Sequence, residues 1–306
     1  MTSLPSQPPS SAPAHSAATP AAPAPTVDAA RLRAIAHVAL DMDGTIYKGG
    51  TLFDCTLPFL QRLRTLGIGY TFLTNNPSKS TADYLAHLRK MGLSASADQL
   101  YTSAQATIDH LRAAHPTARR LFVLGTPSML SQFRDAGFEF TVDSADDEPD
   151  AVVVGFDTTL TYARLCRAAW WISRGKLYLA TNPDRVCPTD QPTVLVDCGA
   201  LCALLQTATG RAPDITLGKP DPTMLSGILA DHRLQPHQCA MVGDRVYTDI
   251  MMAHRAGALG VLVLTGEATA QDAAVAPQPP HLVLPSLAEF GDLLAAAQSS
   301  AAASPR

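Results

Sequence analysis

Charge is scarce in this chain. Only 16% of its 306 residues are Asp, Glu, Lys or Arg, and their formal sum is −4. With a pI near 6.1, bulk electrostatic attraction to nucleic acid or to an anionic membrane surface is excluded. No apolar run is long enough to cross a bilayer, which excludes a helical membrane span. The six cysteines form no CxxC pair and no metal-ligand spacing, so the setting is expected to be reducing and cytoplasmic. Cys198 and Cys202 are four apart, but they lie in the apolar stretch CGALCALLQ and are expected to be plain helix core. The nine histidines show no HExxH spacing, and neither a GxGxxG nor a GxxxxGK[ST] fingerprint occurs. No repeat of solenoid period is found.

Large side chains are also missing from both ends. MTSLPSQPPSSAPAHSAATPAAPAPTVDAA is built from Pro, Ala and Ser. Such a composition buries too little apolar area to offset its ordering entropy, so residues 1–33 are expected to form a disordered tail. That stretch lacks the basic start and apolar centre of a secretory signal. Residues 294–306, ending in AAAQSSAAASPR, are expected to fray likewise.

What is abundant is apolar: 46% of residues are hydrophobic, enough for one large domain or two compact ones. VALD, YTFLT, LFVLG, AVVVG, LYLAT, CAMVG and GVLVLT are short runs suited to buried strands. Amphipathic stretches such as LPFLQRLRTLG and TADYLAHLRKMG lie between them, each ending at a glycine placed for a helix C-terminus. This alternation implies an α/β fold with a doubly wound, mostly parallel sheet. On the helix TYARLCRAAWWISRG, Trp170 and Trp171 are expected to be core.

Polar clusters then gather at strand ends. VALD runs into Asp41 and Asp43, YTFLT into Thr74 and Asn75, and CAMV into Asp244, with Asp249 five residues on. Ligands of doubly wound sheets sit beyond the carboxyl ends of the strands, so these clusters should share one crevice. LGKPDPTML adds Lys219, with Asp221 and Pro222 expected as N-cap and first helical position. Four carboxylates against one ammonium leave three negative charges, which no pocket holds unaided. A divalent cation relieves this, and hard carboxylate oxygens suit Mg²⁺.

DMDGT, TNN, GKPDP and GDRVYTDI, in that order, resemble the four signature motifs of the haloacid dehalogenase superfamily. The resemblance runs from about Ala36 to Phe290. The interval after the second motif leaves room for an inserted cap, as in the NagD-like, 4-nitrophenyl phosphatase-like branch. It implies core segments 34–104 and 214–293, a Rossmann-like fold, and an α/β cap over 105–213. It implies an Mg²⁺-dependent phosphatase acting on small phosphomonoesters of sugar phosphate, nucleotide or phosphoglycolate type through an aspartyl-phosphate. The alternative is a catalytically weak member that binds a phosphometabolite or regulates. Asp43 disfavours the dehalogenases and transport ATPases of the superfamily, and the cap size disfavours the phosphomutases. No nucleic-acid or membrane partner is implied, and the cap leaves room for a homodimer.

The implied roles follow residue by residue. Asp41 is the nucleophile and Asp43 the acid and base. Asp41, Asp43 (through its carbonyl) and Asp244 hold the metal. Thr74, Asn75 and Lys219 bind the phosphoryl group, and Asp249 orients Lys219 or a metal-bound water. After LYLAT, Asn182, Asp184, Arg185 and Cys187 are candidates to meet the leaving group, with Arg185 the expected cation there. One departure stands out: Asp197 and Cys198 occupy a segment where small residues are common in the family.

Overall fold

The computed structural model describes residues 27–187 and 192–302. In chain order the strands are β1 (His37–Asp41), β2 (Tyr47–Lys48), β3 (Thr51–Leu52), β4 (Gly69–Thr74), β5 (Leu100–Thr102), β6 (Arg120–Leu124), β7 (Glu139–Phe140), β8 (Ala151–Val154), β9 (Leu177–Ala180), β10 (Val186–Cys187), β11 (Leu195–Val196), β12 (Ile215–Thr216), β13 (Cys239–Gly243), β14 (Leu259–Val263) and β15 (Leu282–Leu284). Two sheets carry the fold, ordered β15-β14-β13-β1-β4-β5 and β12-β9-β8-β6-β7. Every pairing within both is parallel. The expected α/β class is what forms.

The first sheet is the core. All five residues of β1 are buried, because helices cover both of its faces and a doubly covered strand is apolar throughout. On one face Leu40, Phe72 and Val242 pack with Leu63 and Phe290; on the other Ala39, Leu73 and Met241 pack with Met224 and Met252. From β1 the chain steps to β4 and β5, then later returns on the opposite side at β13. That reversal puts a crevice beyond the ends of β1, β4 and β13. The helix after Lys219 spans Thr223–Asp231, with Pro222 at its N-cap. Asp221 therefore stands one residue earlier than expected and instead accepts the Thr223 N–H at 2.9 Å.

The second sheet is the cap, inserted between β5 and β13. Its boundaries differ from those expected. The helix Ser103–Ala114 straddles the first one: Ala106 packs with the core, while Ile108 and Leu111 pack with Leu121 and Phe133 of the cap. The second moves past residue 213, since β12 pairs with β9 and closes the cap sheet. Trp171 is buried as expected, but Trp170 is 44% exposed.

Both tail expectations need correction where the chain is described. Ala29–Arg33 is a short helix capped by Asp28, and Leu32 is buried in the core. At the other end one helix runs from Leu287 to Ala302, with Leu294 and Ala297 buried. Its alanines look like tail composition, yet one stripe of the helix packs on the helix Thr56–Thr65, where Phe290 meets Phe59. Residues 1–26 and 303–306, the rest of both expected tails, lie outside the described residues. No described helix is long and apolar enough to cross a membrane.

Candidate active site

β1 delivers Asp41 to its carboxyl end, and the turn that follows is set by Gly44. Gly44 has φ +86, and a Cβ there would stand 2.4 Å from Asp244 Oδ2. Gly266 crowds the same carboxylate oxygen, where a Cβ would be 1.9 Å away. Asp244 thus fills a slot that only glycine leaves open. Its Oδ2 accepts the Glu267 N–H at 2.7 Å, whereas its buried Oδ1 has no hydrogen-bond partner. An orphaned carboxylate oxygen in a buried cluster needs a positive neighbour.

Lys219 is that cation for two of the acids. Its buried ammonium pairs with Asp41 and, at 2.7 Å, with Asp249 Oδ1. Burial pulls the Lys219 pKa down, but Asp249 and Asp41 overcome this and hold it above the ordinary lysine value. Asp249 is fully buried and accepts the Arg245 N–H at 3.1 Å. Burial lifts Asp249 to about 6, with Lys219 opposing the rise. Asp244 rises to about 7, first through burial and then through Asp41 and Asp249. One oxygen from each of Asp41, Asp244 and Asp249 lies within 4.8 Å of the others. Hard oxygens so clustered, one of them orphaned, fit a divalent cation such as Mg²⁺. The carboxyl of Asp43 lies at the cavity edge, raised by burial and by Asp41.

Asn75 is a brace. Its side-chain oxygen accepts the Lys219 N–H at 2.7 Å, and its side-chain nitrogen donates to the Lys219 carbonyl at 2.9 Å. The same nitrogen donates to Asp184 of the cap at 3.0 Å. The Asn75 side chain is therefore committed to Lys219 and Asp184. Thr74 accepts the Asn76 N–H at 3.2 Å and borders the same cavity.

The cavity measures about 760 Å³ and is walled by core and cap together. Asp41, Asp43, Thr74, Asn75 and Lys219 form its core side. Asp244 and Asp249 lie beneath them, joined through Lys219 and the carboxylate cluster. The cap candidates divide. Asp184 and Cys187 line the cavity, while Arg185 is exposed and not part of the lining. Asn182 is fully buried, accepting from Thr181 at 2.8 Å and donating to Asp197 at 3.2 Å, so it supports the cap rather than meeting the cavity.

Arg245 is the residue sequence reasoning passed over, although it sits inside the quoted GDRVYTDI. It lines the cavity and pairs with Glu267 at 2.9 Å. Glu267 in turn accepts the Tyr247 hydroxyl at 2.8 Å. The signal was present as the only cation in that motif. Asp197 also lines the cavity, as the N-cap of the helix Cys198–Thr209. Cys198 and Cys202 are buried core on that helix.

Comparison with known proteins supplies the family. The haloacid dehalogenase-like hydrolase model matches residues 38–139, and a second HAD-hydrolase-like model matches 216–290. An acid sugar phosphatase of Staphylococcus epidermidis is 33% identical over 76% of this chain and 88% of its own length. Ribonucleotide monophosphatase NagD of Escherichia coli is 31% identical over 84% of this chain and 98% of its own. The chain is a haloacid dehalogenase-like hydrolase of the NagD-like branch. Among solved structures, the 4-nitrophenylphosphatase of Thermotoga maritima superposes on this hydrolase with a TM-score of 0.80. It is 38% identical, covering 86% of this chain and 98% of that one.

Proposed function

We propose that this hydrolase cleaves small phosphomonoesters through an aspartyl-phosphate on Asp41, assisted by Mg²⁺. The observation carrying this is the buried carboxylate set, orphaned at Asp244 Oδ1, gathered around Lys219 at the floor of a large cavity. Asp41 attacks phosphorus, and the bond to the leaving oxygen breaks. Asp43, its carboxyl raised so that it holds a proton more readily, gives that proton to the departing alkoxide. Asp43 then takes a proton from water as the water attacks the aspartyl-phosphate, releasing inorganic phosphate and restoring Asp41. Lys219 faces the charge on the phosphoryl oxygens, with the Thr74 hydroxyl and the Asn75 backbone N–H alongside. Asp41, Asp244 and the Asp43 carbonyl would hold the cation, with Asp249 steadying Lys219. When bound, Mg²⁺ supplies Lewis-acid polarisation of a phosphoryl oxygen.

Arg245 brings its own counter-ion in Glu267, so the site still carries three negative charges, which one divalent cation reduces to one. The relatives act on leaving groups as different as sugars, ribonucleosides and nitrophenol, so the choice among sugar phosphate, nucleotide and phosphoglycolate is not inherited. The test is phosphate release from 4-nitrophenyl phosphate. Chelation should abolish it, Mg²⁺ should restore it, and Asp41→Asn should lower kcat by about 10⁴-fold or more. Full turnover in excess chelator, or in Asp41→Asn, defeats the reading.

A further inference from the structure

The two walls of the cavity differ in their cations: the core side mixes Asp41 and Asp43 with basic residues, and the cap side does not. Every lysine, arginine and histidine that lines it belongs to the core: Lys48, Lys79, His87, Lys219 and Arg245. The cap contributes two carboxylates, Asp184 and Asp197, with the Thr158 hydroxyl and the Cys187 thiol, and among the described residues no cation. Arg185, the one cation the cap loop offered in sequence, is exposed and outside the lining.

Both acids are held in place. Asp197 is 2% exposed, and its Oδ1 accepts the Cys198 N–H at 2.5 Å and the Asn182 side chain at 3.2 Å. Asp184 accepts from Asn75 at 3.0 Å, which ties it to the floor through the Lys219 backbone. Thr158 sits in a loop fixed by Asp157, which accepts from Thr159 at 2.8 Å and pairs with Arg164 at 2.8 Å. Burial lifts the Asp197 carboxyl to about 6 against those two hydrogen bonds, which keeps it mostly ionised at pH 7.5.

Attack by Asp41 from the core floor is in line with the bond that breaks, so the leaving group points away from the floor and toward the cap. What the cap presents there is hydrogen-bond acceptors with negative charge. Hydroxyls donate well to carboxylates, whereas a second anion would be desolvated beside them without a partner. Of the core cations that could offset this, Arg245 is paired with Glu267 at 2.9 Å and Lys219 with Asp41 and Asp249, Lys79 lies over the Tyr84 ring at 5.6 Å, and Lys48 stands exposed at the end of β2.

We infer that Asp184 and Asp197 form an acidic cap wall that admits phosphomonoesters with an uncharged, hydroxyl-bearing leaving group and rejects those carrying a second anion. This rests on the phosphatase reading above and deepens it. Selectivity here is built from repulsion as much as from contact.

The matched probes are glycerol 3-phosphate and 3-phosphoglycerate, which share a three-carbon skeleton and differ by one carboxylate. With the full-length protein, Mg²⁺ and pH 7.5, kcat/KM should favour glycerol 3-phosphate by about tenfold or more. Asp197→Asn keeps an N-capping side chain and should shrink that ratio by at least about fivefold. Asp184→Asn, at a different point of the wall, should shrink it as well. A ratio is read because it is indifferent to any general loss of turnover in a variant. Equal use of both substrates by the wild type overturns the proposal. So does an unchanged ratio in both variants, which would mark the two acids as structural only. Failure of the phosphatase reading looks different: the wild type would then release no phosphate from either probe or from 4-nitrophenyl phosphate.

Discussion

The dipeptide Thr-Asn ends a parallel strand twice in this molecule, once in each sheet. At the end of β4, Thr74 and Asn75 border the cavity, and Asn75 clamps the backbone of Lys219. Just past β9, Thr181 and Asn182 are wholly buried and bond to each other and to Asp197. The residues and the kind of strand are the same. What differs is the neighbouring strand: β4 lies beside β1, which ends in Asp41, while β9 lies beside β8, which ends in Val154 and is followed by Gly155. A polar pair at a strand end becomes part of a reaction site only where the topology lays charge next to it.

The largest effect expected from this comparison separates the two asparagines. Asn75→Ala frees the Lys219 backbone and should lower kcat by roughly 10- to 100-fold. Asn182→Ala should leave kcat on 4-nitrophenyl phosphate within about threefold. Its effect is on stability, a loss of about 1–3 kcal/mol, because Thr181 and Asp197 lose a buried partner. Equal losses of kcat in the two variants would break the comparison.

Next comes the C-terminal helix. Deleting residues 294–306 exposes the apolar surface that Leu294 covers, and burying one leucine is worth about 1.5–3 kcal/mol. A fall in Tm of several degrees is expected by calorimetry, with KM little altered. An unchanged Tm would return this segment to the tail that its composition suggests.

The smallest effect sharpens the contrast in charge. Without the cation Asp244 titrates near 7 and Asp249 near 6, so the folded protein carries protons there that Mg²⁺ must displace. Cation affinity therefore rises as pH climbs through about 6 to 7 and levels off above. The Tm increment produced by Mg²⁺ should be larger at pH 8 than at pH 5.5, by roughly 2 °C or more. An increment independent of pH would place the protons elsewhere.

The core site was legible in sequence because each of its parts is local. Asp41, Thr74 and Asp244 each end an apolar run, and doubly wound topology makes strand ends converge. The cap wall was not legible for the opposite reason. Whether Asp184, Arg185 or Asn182 faces the cavity depends on how the cap docks and on which side of a loop each residue emerges. Asp197 drew notice only as an oddity. Arg245 was overlooked although quoted, since a charge in a motif has no address until its neighbours Glu267 and Tyr247 are fixed in space. The helix to Ala302 escaped because alanine and serine suit a helix or a loose end equally, and only its packing on the helix Thr56–Thr65 decides.

The two glycines packed against Asp244 narrow the routes by which this enzyme could acquire a new substrate. Neither Gly44 nor Gly266 can gain even a methyl group without displacing the Asp244 carboxylate. Single substitutions at these points are expected to end phosphate release before they can redirect it, which would lock inheritance at the floor. At the cap the glycine lock falls beside the wall, at Gly199, where a Cβ would stand 2.1 Å from the Pro183 carbonyl, and not on the side chains of Asp184 and Asp197 themselves. Descendants of this gene that take up different esters are expected to carry their changes in the roof, above an unchanged hearth.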